Sequence, residues 1–520
     1  MNLLFVNYGD FTTNSLNHIG AFAGRLTLLG HACVVAVPEK PETITAIHEP
    51  LFTPVTYDRA LAAEPIFPDR RGADIVHAWT PRENVRDFSL RYLRANPAAT
   101  LVIHLEDNEA FLIERFAHEP LAQLRRRSDE ELAARLSPRL SHPIRFRNFL
   151  RLAHGVTCIT DRLREFVPAG TPTYRLLPGL DTATPVPAAS AALRARLGVP
   201  PDEKLIVYTG STNFVTVADI RTLVLAVRLI NDRGTPCRLV RTGIHPPELL
   251  QEITAIAGDR IIDLGFVAKP DLAPLLALAD VLVQPGAPDE FNDYRLPSKV
   301  PEFLAAGRPV ILPRANIARE MEDGRHALLL AGATPEEIAD QCRRVFADSA
   351  LAARLAAGAR EFAAAHFDLA VNTAGLLAFY DHLRAAAAPI FTDPSTPPSE
   401  DVLLAEGDTA LRMRAKDLTI ADRDQKVAER DAAIASRDAI IANRDTAIAD
   451  RNALIAARDD AIAALQKQIA ALHAEHAVMV ARFNYQQSKI QQARNQVEVL
   501  RGENTRTLAV IERLTREMEG

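Results

Sequence analysis

The sequence predicts an α/β protein of two facing Rossmann-like domains followed by a long α-helical coiled coil. Three observations lead there. Short apolar runs alternate with helix-period segments through residues 1–180, and the same alternation restarts near residue 203 and runs to 385. A proline-rich stretch then breaks the pattern at 390–402. Beyond it a seven-residue frame, apolar at most of its repeats, runs almost to the end of the chain. The expected divisions are 1–180 for a first domain, 181–389 for a second, 390–414 for a linker and 415–520 for the coil.

In the first domain the strand candidates are residues 3–6, 32–37, 74–78 and 100–104. Helical periodicity fills 20–29 and 86–96 between them. In the second domain the strand candidates are 205–209, 238–242, 281–284 and 309–312. Strands alternating with helices imply parallel βαβ units. Two such halves imply two sheets whose strand C-termini share one ligand cleft.

The C-terminal repeat reads RDAAIAS, RDAIIAN and RDTAIAD from residues 430, 437 and 444. With the isoleucine as position a, Ile420, Val427, Ile434, Ile441, Ile448, Ile455, Ile462 and Ile469 keep one frame. It continues without a slip through His476, Phe483, Ile490, Val497, Asn504, Ile511 and Met518. From Leu465 the d positions include Leu472, Met479, Leu500 and Leu514. A hundred such residues would make a rod of roughly 150 Å. Arg437 and Arg444 flank the isoleucines on one side, and Asp438 and Asp445 on the other. A parallel two-fold pair sets Arg against Asp, whereas an antiparallel pair sets like against like. Self-association as a parallel dimer is therefore expected. A solitary charged helix is the alternative for the repeat-rich half.

Composition narrows the function. The chain has 520 residues, 48% hydrophobic and 24% charged, with a net charge of −6. That balance fits a soluble protein and argues against nucleic acid as a partner. Cys33, Cys158, Cys237 and Cys342 are far apart, without zinc or redox spacing, and read as small buried hydrophobes. The apolar run at the N-terminus is too short for a signal peptide, and no run of about 18 apolar residues suggests a membrane span. A cytoplasmic location follows.

Residues 295–313 (RLPSKVPEFLAAGRPVILP) carry the most chemistry. Pro297 and Ser298 open a short helix, with Ser298 as the cap, and Gly307 and Pro309 close it. Lys299 lies in the first turn, where free backbone N–H groups already attract anions. Glu302 follows one turn on. A cation and amides suit a diphosphate, and a carboxylate suits a ribose. An ordinary capped surface helix is the alternative. In the first domain, residues 102–109 (VIHLEDNE) end a strand with a polar cluster containing His104 and Asp107. As residues alone they read as a strand-end turn in which Asp107 can cap the next helix. The only tryptophan, Trp79, belongs to a second such cluster and can stack on a sugar or fill the core. Arginines at 125–127, 145, 147 and 151 form a basic region that reads as a solvated helix face.

Residues 295–313 resemble the C-terminal-domain motif of retaining glycosyltransferases of family 4, the group 1 transferases. Further landmarks fall in the family's order: LPGLD at 177–181, LIVYTG at 205–210, LVRTG at 239–243, IDLG at 262–265 and ADVLVQP at 279–285. The resemblance covers roughly residues 1–385. It implies a GT-B fold and retaining transfer of a sugar from a nucleoside-diphosphate donor to a hydroxyl of a glycan or lipid-linked acceptor. By the same resemblance, Ser298, Lys299, Gly210 and Ser211 hold the diphosphate, Glu302 the ribose, Arg295 the leaving group, and His104 or Asp107 the sugar or acceptor. No metal or other cofactor is expected, since no acidic cluster accompanies these cations. Membrane contact would be peripheral, at the inner face. Two departures stand out. Tyr294 occupies the position of the family's first glutamate, and residues 211–217 lack the usual Arg and Lys. A non-catalytic glycan- or nucleotide-binding scaffold, or a nucleotide-sugar epimerase, are the alternatives.

Overall fold

The computed structural model describes residues 1–391, apart from 48, 183–186 and 213–214, and residues 400–518. It forms two compact units, Met1–Thr396 and Pro397–Gly520.

In the first unit the chain lays down β1 (Asn2–Asn7), β2 (Ala32–Val37), β3 (Thr53–Thr56), β4 (Ile75–Trp79), β5 (Thr100–Leu105), β6 (Gly155–Cys158) and β7 (Thr173–Arg175). Among the described residues they form one sheet in the order β3-β2-β1-β4-β5-β6-β7, with every pairing parallel. A second sheet contains β8 (Lys204–Tyr208), β9 (Cys237–Arg241), β10 (Ile261–Asp263), β11 (Val281–Val283), β12 (Val310–Pro313) and β13 (Leu328–Leu330). Its order is β10-β9-β8-β11-β12-β13, again all parallel. Helices cover both faces, so the central strands are apolar on both sides: Leu3, Leu4, Phe5 and Val6 are all buried. Both strand orders reverse direction once, at β1/β4 and at β8/β11. Such switch points open a crevice at the strand C-termini.

The chain crosses between the two sheets twice. Leu180 and Leu369 exchange backbone hydrogen bonds across the crossing, Leu180 N–H to Phe367 O at 2.7 Å and Leu369 N–H to Leu180 O at 2.9 Å. The helix Leu369–Ala386 then packs on the first sheet, not the second. Its Tyr380 hydroxyl lies 2.7 Å from His77 Nδ1 on β4. At Gly155 a Cβ would come 2.5 Å from Leu383, so the helix sits directly on β6. All four cysteines are buried free thiols.

The second unit is one helix, Glu400–Met518. At 1.5 Å per residue its 119 residues run about 180 Å. Ile462, Leu465, Ile469, Leu472, Met479 and Phe483 are between 42% and 63% exposed, so the expected a/d stripe lies open along a single chain. Most of the proline-rich linker, 392–399, lies outside the described residues, as do 519 and 520.

Candidate functional site

The helix Lys299–Ala305 follows the Pro-Ser step, and Gly307, with φ +61°, stops it where a side chain would be strained. One expectation fails here. Ser298 is the N-cap residue but makes no side-chain capping bond. Its φ and ψ are already helical, which turns the hydroxyl away from the amides it would cap.

Lys299 donates from Nζ to the Tyr208 hydroxyl at 3.0 Å and lies 4.3 Å from the centre of that ring. Tyr208 ends β8, so the lysine stands at the switch point of the second sheet. Gly210 follows with φ +113°, and a Cβ there would meet the lysine side chain at 2.7 Å. Glycine keeps the backbone open beside the cation. Ser211 accepts from the Ile244 amide at 3.1 Å, which ties the loop after β8 to the loop after β9. Asn213 and Phe214, within the stretch that lacks the family's cations, lie outside the described residues.

Arg295 donates twice to Asn292 Oδ1, at 3.2 and 3.0 Å, and its guanidinium lies 4.0 Å from the Phe291 ring centre. Its field reaches Asp107 of the first domain and Asp219 of the second. Burial pushes the Glu302 carboxyl above the ordinary range against the pull of Lys269, His18 and Lys299. Asp219 was not foreseen. It stands in the first turn of the helix Val217–Asp232, and burial, offset by Arg295 and reinforced by Asp289, lifts it to about 6.

The first domain supplies the opposite wall. Asp107 lies 3.5 Å from Arg82, and burial raises its pKa despite Arg82 and Arg295. It does not cap the next helix. That cap is Asn108, which accepts from the Phe111 amide at 3.0 Å. His104 is buried on β5, packed 4.1 Å from Trp79 between ring centres, and its Nδ1 meets the Thr157 hydroxyl at 2.8 Å. Burial holds its pKa down at about 3. Trp79 is fully buried, so it fills the core, and its indole donates to Glu106 at 2.6 Å.

Tyr294, at the position expected for a glutamate, serves the domain contact. Its hydroxyl donates to Glu165 at 2.5 Å and accepts from Arg162 at 3.2 Å, both beyond β6 in the first domain. Phe111 stacks on Phe291 at 5.4 Å, and Arg175 pairs with Glu320 across the same interface. A cavity of ≈ 410 Å³ beside these contacts is lined by Asp161, Arg162, Arg175, Asp293, Arg319 and Glu320. Its charges largely pair among themselves, as in Arg175–Asp161 and Arg319–Asp293.

In the basic region, Arg127 pairs with Glu119 and Arg145 with Glu83 and Asp129. The helix Arg145–Leu152 buries Phe146, Phe149 and Leu150 inward. Among the described residues no group of three or more His, Cys, Asp or Glu is placed to hold a metal ion. Nor is any described helix long and apolar enough to cross a membrane.

The cations, the glycine turn and the two carboxylates therefore gather at the switch point of the second sheet, opposite a polar wall from the first. Residues 203–348 match the family described as glycosyl transferases group 1. Over 224 residues the chain is 30% identical to a D-inositol 3-phosphate glycosyltransferase of Frankia alni, covering 41% of this chain and 53% of the relative. Over 250 residues it is 28% identical to the Saccharomonospora viridis protein of the same name, covering 45% and 56%. The chain spans about half the length of these curated relatives. Among solved structures, Anabaena HepE in complex with UDP and glucose matches with a TM-score of 0.56 at 17% identity, over 73% of this chain and 99% of that one. A sucrose-phosphate synthase from Thermosynechococcus elongatus gives 0.54 at 17% identity, over 74% and 100%. These structural likenesses establish the fold as GT-B.

Proposed function

We propose that this chain, whose second domain is a group 1 glycosyltransferase domain, moves a sugar from a nucleoside-diphosphate donor to a hydroxyl of a glycan or lipid-linked acceptor. One observation carries the reading: Lys299 and Arg295 stand at the switch point of the second sheet with Glu302 one turn beyond, and a polar wall faces them. Lys299, with the backbone around Gly210 and Ser298, would hold the diphosphate. Glu302 would accept from the ribose hydroxyls. Arg295 would meet the charge that develops on the leaving group, where stabilisation matters most. The donor base is best sought first among uridine nucleotides, since HepE was solved with UDP and glucose. Retention of anomeric configuration is the expectation that the family resemblance gives. The two cations serve where other transferases use a metal. We place the protein in the cytoplasm, and a peripheral contact at the inner face of the membrane would serve a lipid-linked acceptor.

The scaffold reading has one observation in its favour. Tyr294 replaces a carboxylate expected to hold the donor sugar and is committed to Glu165 and Arg162. A panel of UDP-, GDP- and dTDP-sugars separates the readings. Calorimetric binding of one nucleotide, with release or transfer of its sugar in the presence of excess chelator, is the expected result. Binding without turnover on any donor would leave the scaffold.

A further inference from the structure

Away from the two chain crossings, residues 291–295 of the second domain meet the first domain through Phe291 and Tyr294. The Phe291 ring stacks on Phe111, with 5.4 Å between ring centres. The Tyr294 hydroxyl donates to Glu165 Oε1 at 2.5 Å and accepts from Arg162 Nε at 3.2 Å. Tyr294 is only 5% exposed, and its ring also lies 5.5 Å from that of Phe166. Arg162 and Glu165 stand three residues apart in one turn, Asp161–Phe166, with 3.9 Å between their charged groups. The phenol is thus held by a carboxylate and a guanidinium at once, both in the opposite domain.

Arg295 follows directly, and the same short segment supports its guanidinium. Asn292 Oδ1 accepts from it twice, at 3.2 and 3.0 Å, and the Phe291 ring centre lies 4.0 Å away. Both supports are neutral, so the charge remains for a ligand. Asn292 is anchored within the second domain: its amide donates to Ala287 O at 2.9 Å, and its carbonyl accepts from Asn316 at 2.9 Å. Phe291 is anchored in the other direction, on Phe111. The cation therefore rests on a ring that rests on the first domain, one residue from a phenol that binds the first domain. A change in how the two domains meet moves both of these contacts.

We propose that Tyr294 is a positioning residue: its bonds to Glu165 and Arg162 hold residues 291–295 against the first domain and so fix Arg295 where the leaving diphosphate gains charge. The inference rests on the glycosyltransferase reading above and concerns the same site. When the domains part, the phenol, the carboxylate and Arg162 pass to water, and Phe291 loses Phe111. Arg295 then keeps only the supports of its own short turn. Closure of the cleft thus delivers the cation in a fixed place when the leaving group needs it. The departure from the family pattern acquires a use. A glutamate at 294 would set a second carboxylate beside Glu165, whereas a phenol can donate to it.

The test uses the full chain and UDP-glucose, reading glucose released to water and, by calorimetry, UDP affinity. Single-turnover assays with excess enzyme keep slow variants measurable. Tyr294→Phe keeps the ring and removes the bond. Its rate of release should fall about 10- to 100-fold, the worth of a bond to a charged group, with UDP affinity within about twofold of wild type. Glu165→Gln should give a smaller fall in the same direction. The deciding comparison is made in Arg295→Ala. There each of these substitutions should change the rate by less than about twofold, because the residue they act through is gone. A merely structural contact costs the same factor in both backgrounds, and that result overturns the proposal. An undiminished rate in Tyr294→Phe overturns it as well. So does a loss of UDP affinity that equals the loss of rate, which would place the hydroxyl in the donor site. If Tyr294→Phe fails to fold, Glu165→Gln carries the same comparison. A wild-type chain that releases no glucose removes the transferase reading, and this proposal falls with it. An active wild type with unaffected variants removes the proposal alone.

Discussion

Lys299 and His104 show how differently two polar residues can be used within one cleft region. Among the described residues Lys299 bonds to the Tyr208 hydroxyl and pairs with no carboxylate, so its charge is available to a ligand. Lys299→Ala should slow sugar transfer roughly 10- to 150-fold, the worth of a charge-assisted bond realised in the transition state. Steady-state kinetics, with circular dichroism to show an intact fold, checks this, and unchanged kinetics would remove the assignment. His104 instead is a buried neutral group. Its folded pKa of about 3 lies below the ordinary value near 6.5. As pH falls below about 6.5 the unfolded chain takes up a proton that the native chain refuses. The stability His104 contributes is thus fully present above that pH and is lost toward pH 3, at up to about 1.4 kcal/mol per pH unit. Urea unfolding at pH 7 and pH 5 should show the loss, and His104→Gln should shallow the slope by about that amount. An equal slope in the variant would mean that the ring is protonated in the native state. His77, also buried and depressed, adds in the same direction.

Between elements, the loop after β9 lies tight against the loop after β8, beside Lys299. Gly243 has φ +99°, and a Cβ there would lie 2.3 Å from the Gly210 carbonyl carbon and 2.4 Å from the Ser211 nitrogen. Backbone atoms cannot swing aside as a flexible side chain can. Gly243→Ala should therefore cost roughly 2–4 kcal/mol, from positive-φ strain and overpacking together, and should also displace the Gly210 turn beside Lys299. A lowered urea midpoint with weaker nucleotide binding is the expected pair of results. Wild-type stability would mean the two loops do not touch in solution. The central strands β1, β2, β4, β5, β8, β9, β11 and β12 were legible in the sequence because their buried stretches are mostly apolar, though β4 and β5 each carry a histidine and β9 two arginines. Most of the strands missed have physical excuses, though the short buried run Leu328–Leu330 of β13 has none. Pro54 sits inside β3, Gly155 opens β6, and the edge strand β7 is Thr-Tyr-Arg. Within the site, Lys299 and Glu302 announced themselves through a helix start. Asp219 did not, because its setting comes from a tertiary neighbour: Arg295 is 76 residues away. Ser298 misled because residue type predicts a cap only when the backbone is extended there.

At the scale of the whole molecule, the long helix has no fold-based reason to persist alone. Its described half shows Ile462, Leu465, Ile469, Leu472, Met479, Ile490, Leu500 and Leu514 between 42% and 63% exposed, all in one heptad frame. Burying such side chains is worth about 1.5–3 kcal/mol each, more than enough to drive pairing. We propose a parallel dimer. Beta-branched residues dominate position a, and Asn504 at one a position favours its own counterpart across a two-fold axis, which only the parallel register supplies. Two copies of the first unit in one assembly would also raise avidity for any ligand that repeats along a polymer. The four native cysteines are buried, so an introduced thiol reports on the coil alone. Ile469→Cys and, separately, Leu514→Cys should each form an intermolecular disulfide with their own copy under mild oxidation, because a parallel in-register pair brings identical a and d positions together. Sedimentation should give a dimer whose mass does not depend on the cross-link. Disulfides only on mixing the two variants would establish an antiparallel pair. A monomer at micromolar concentration would mean the exposed stripe is covered by a different partner.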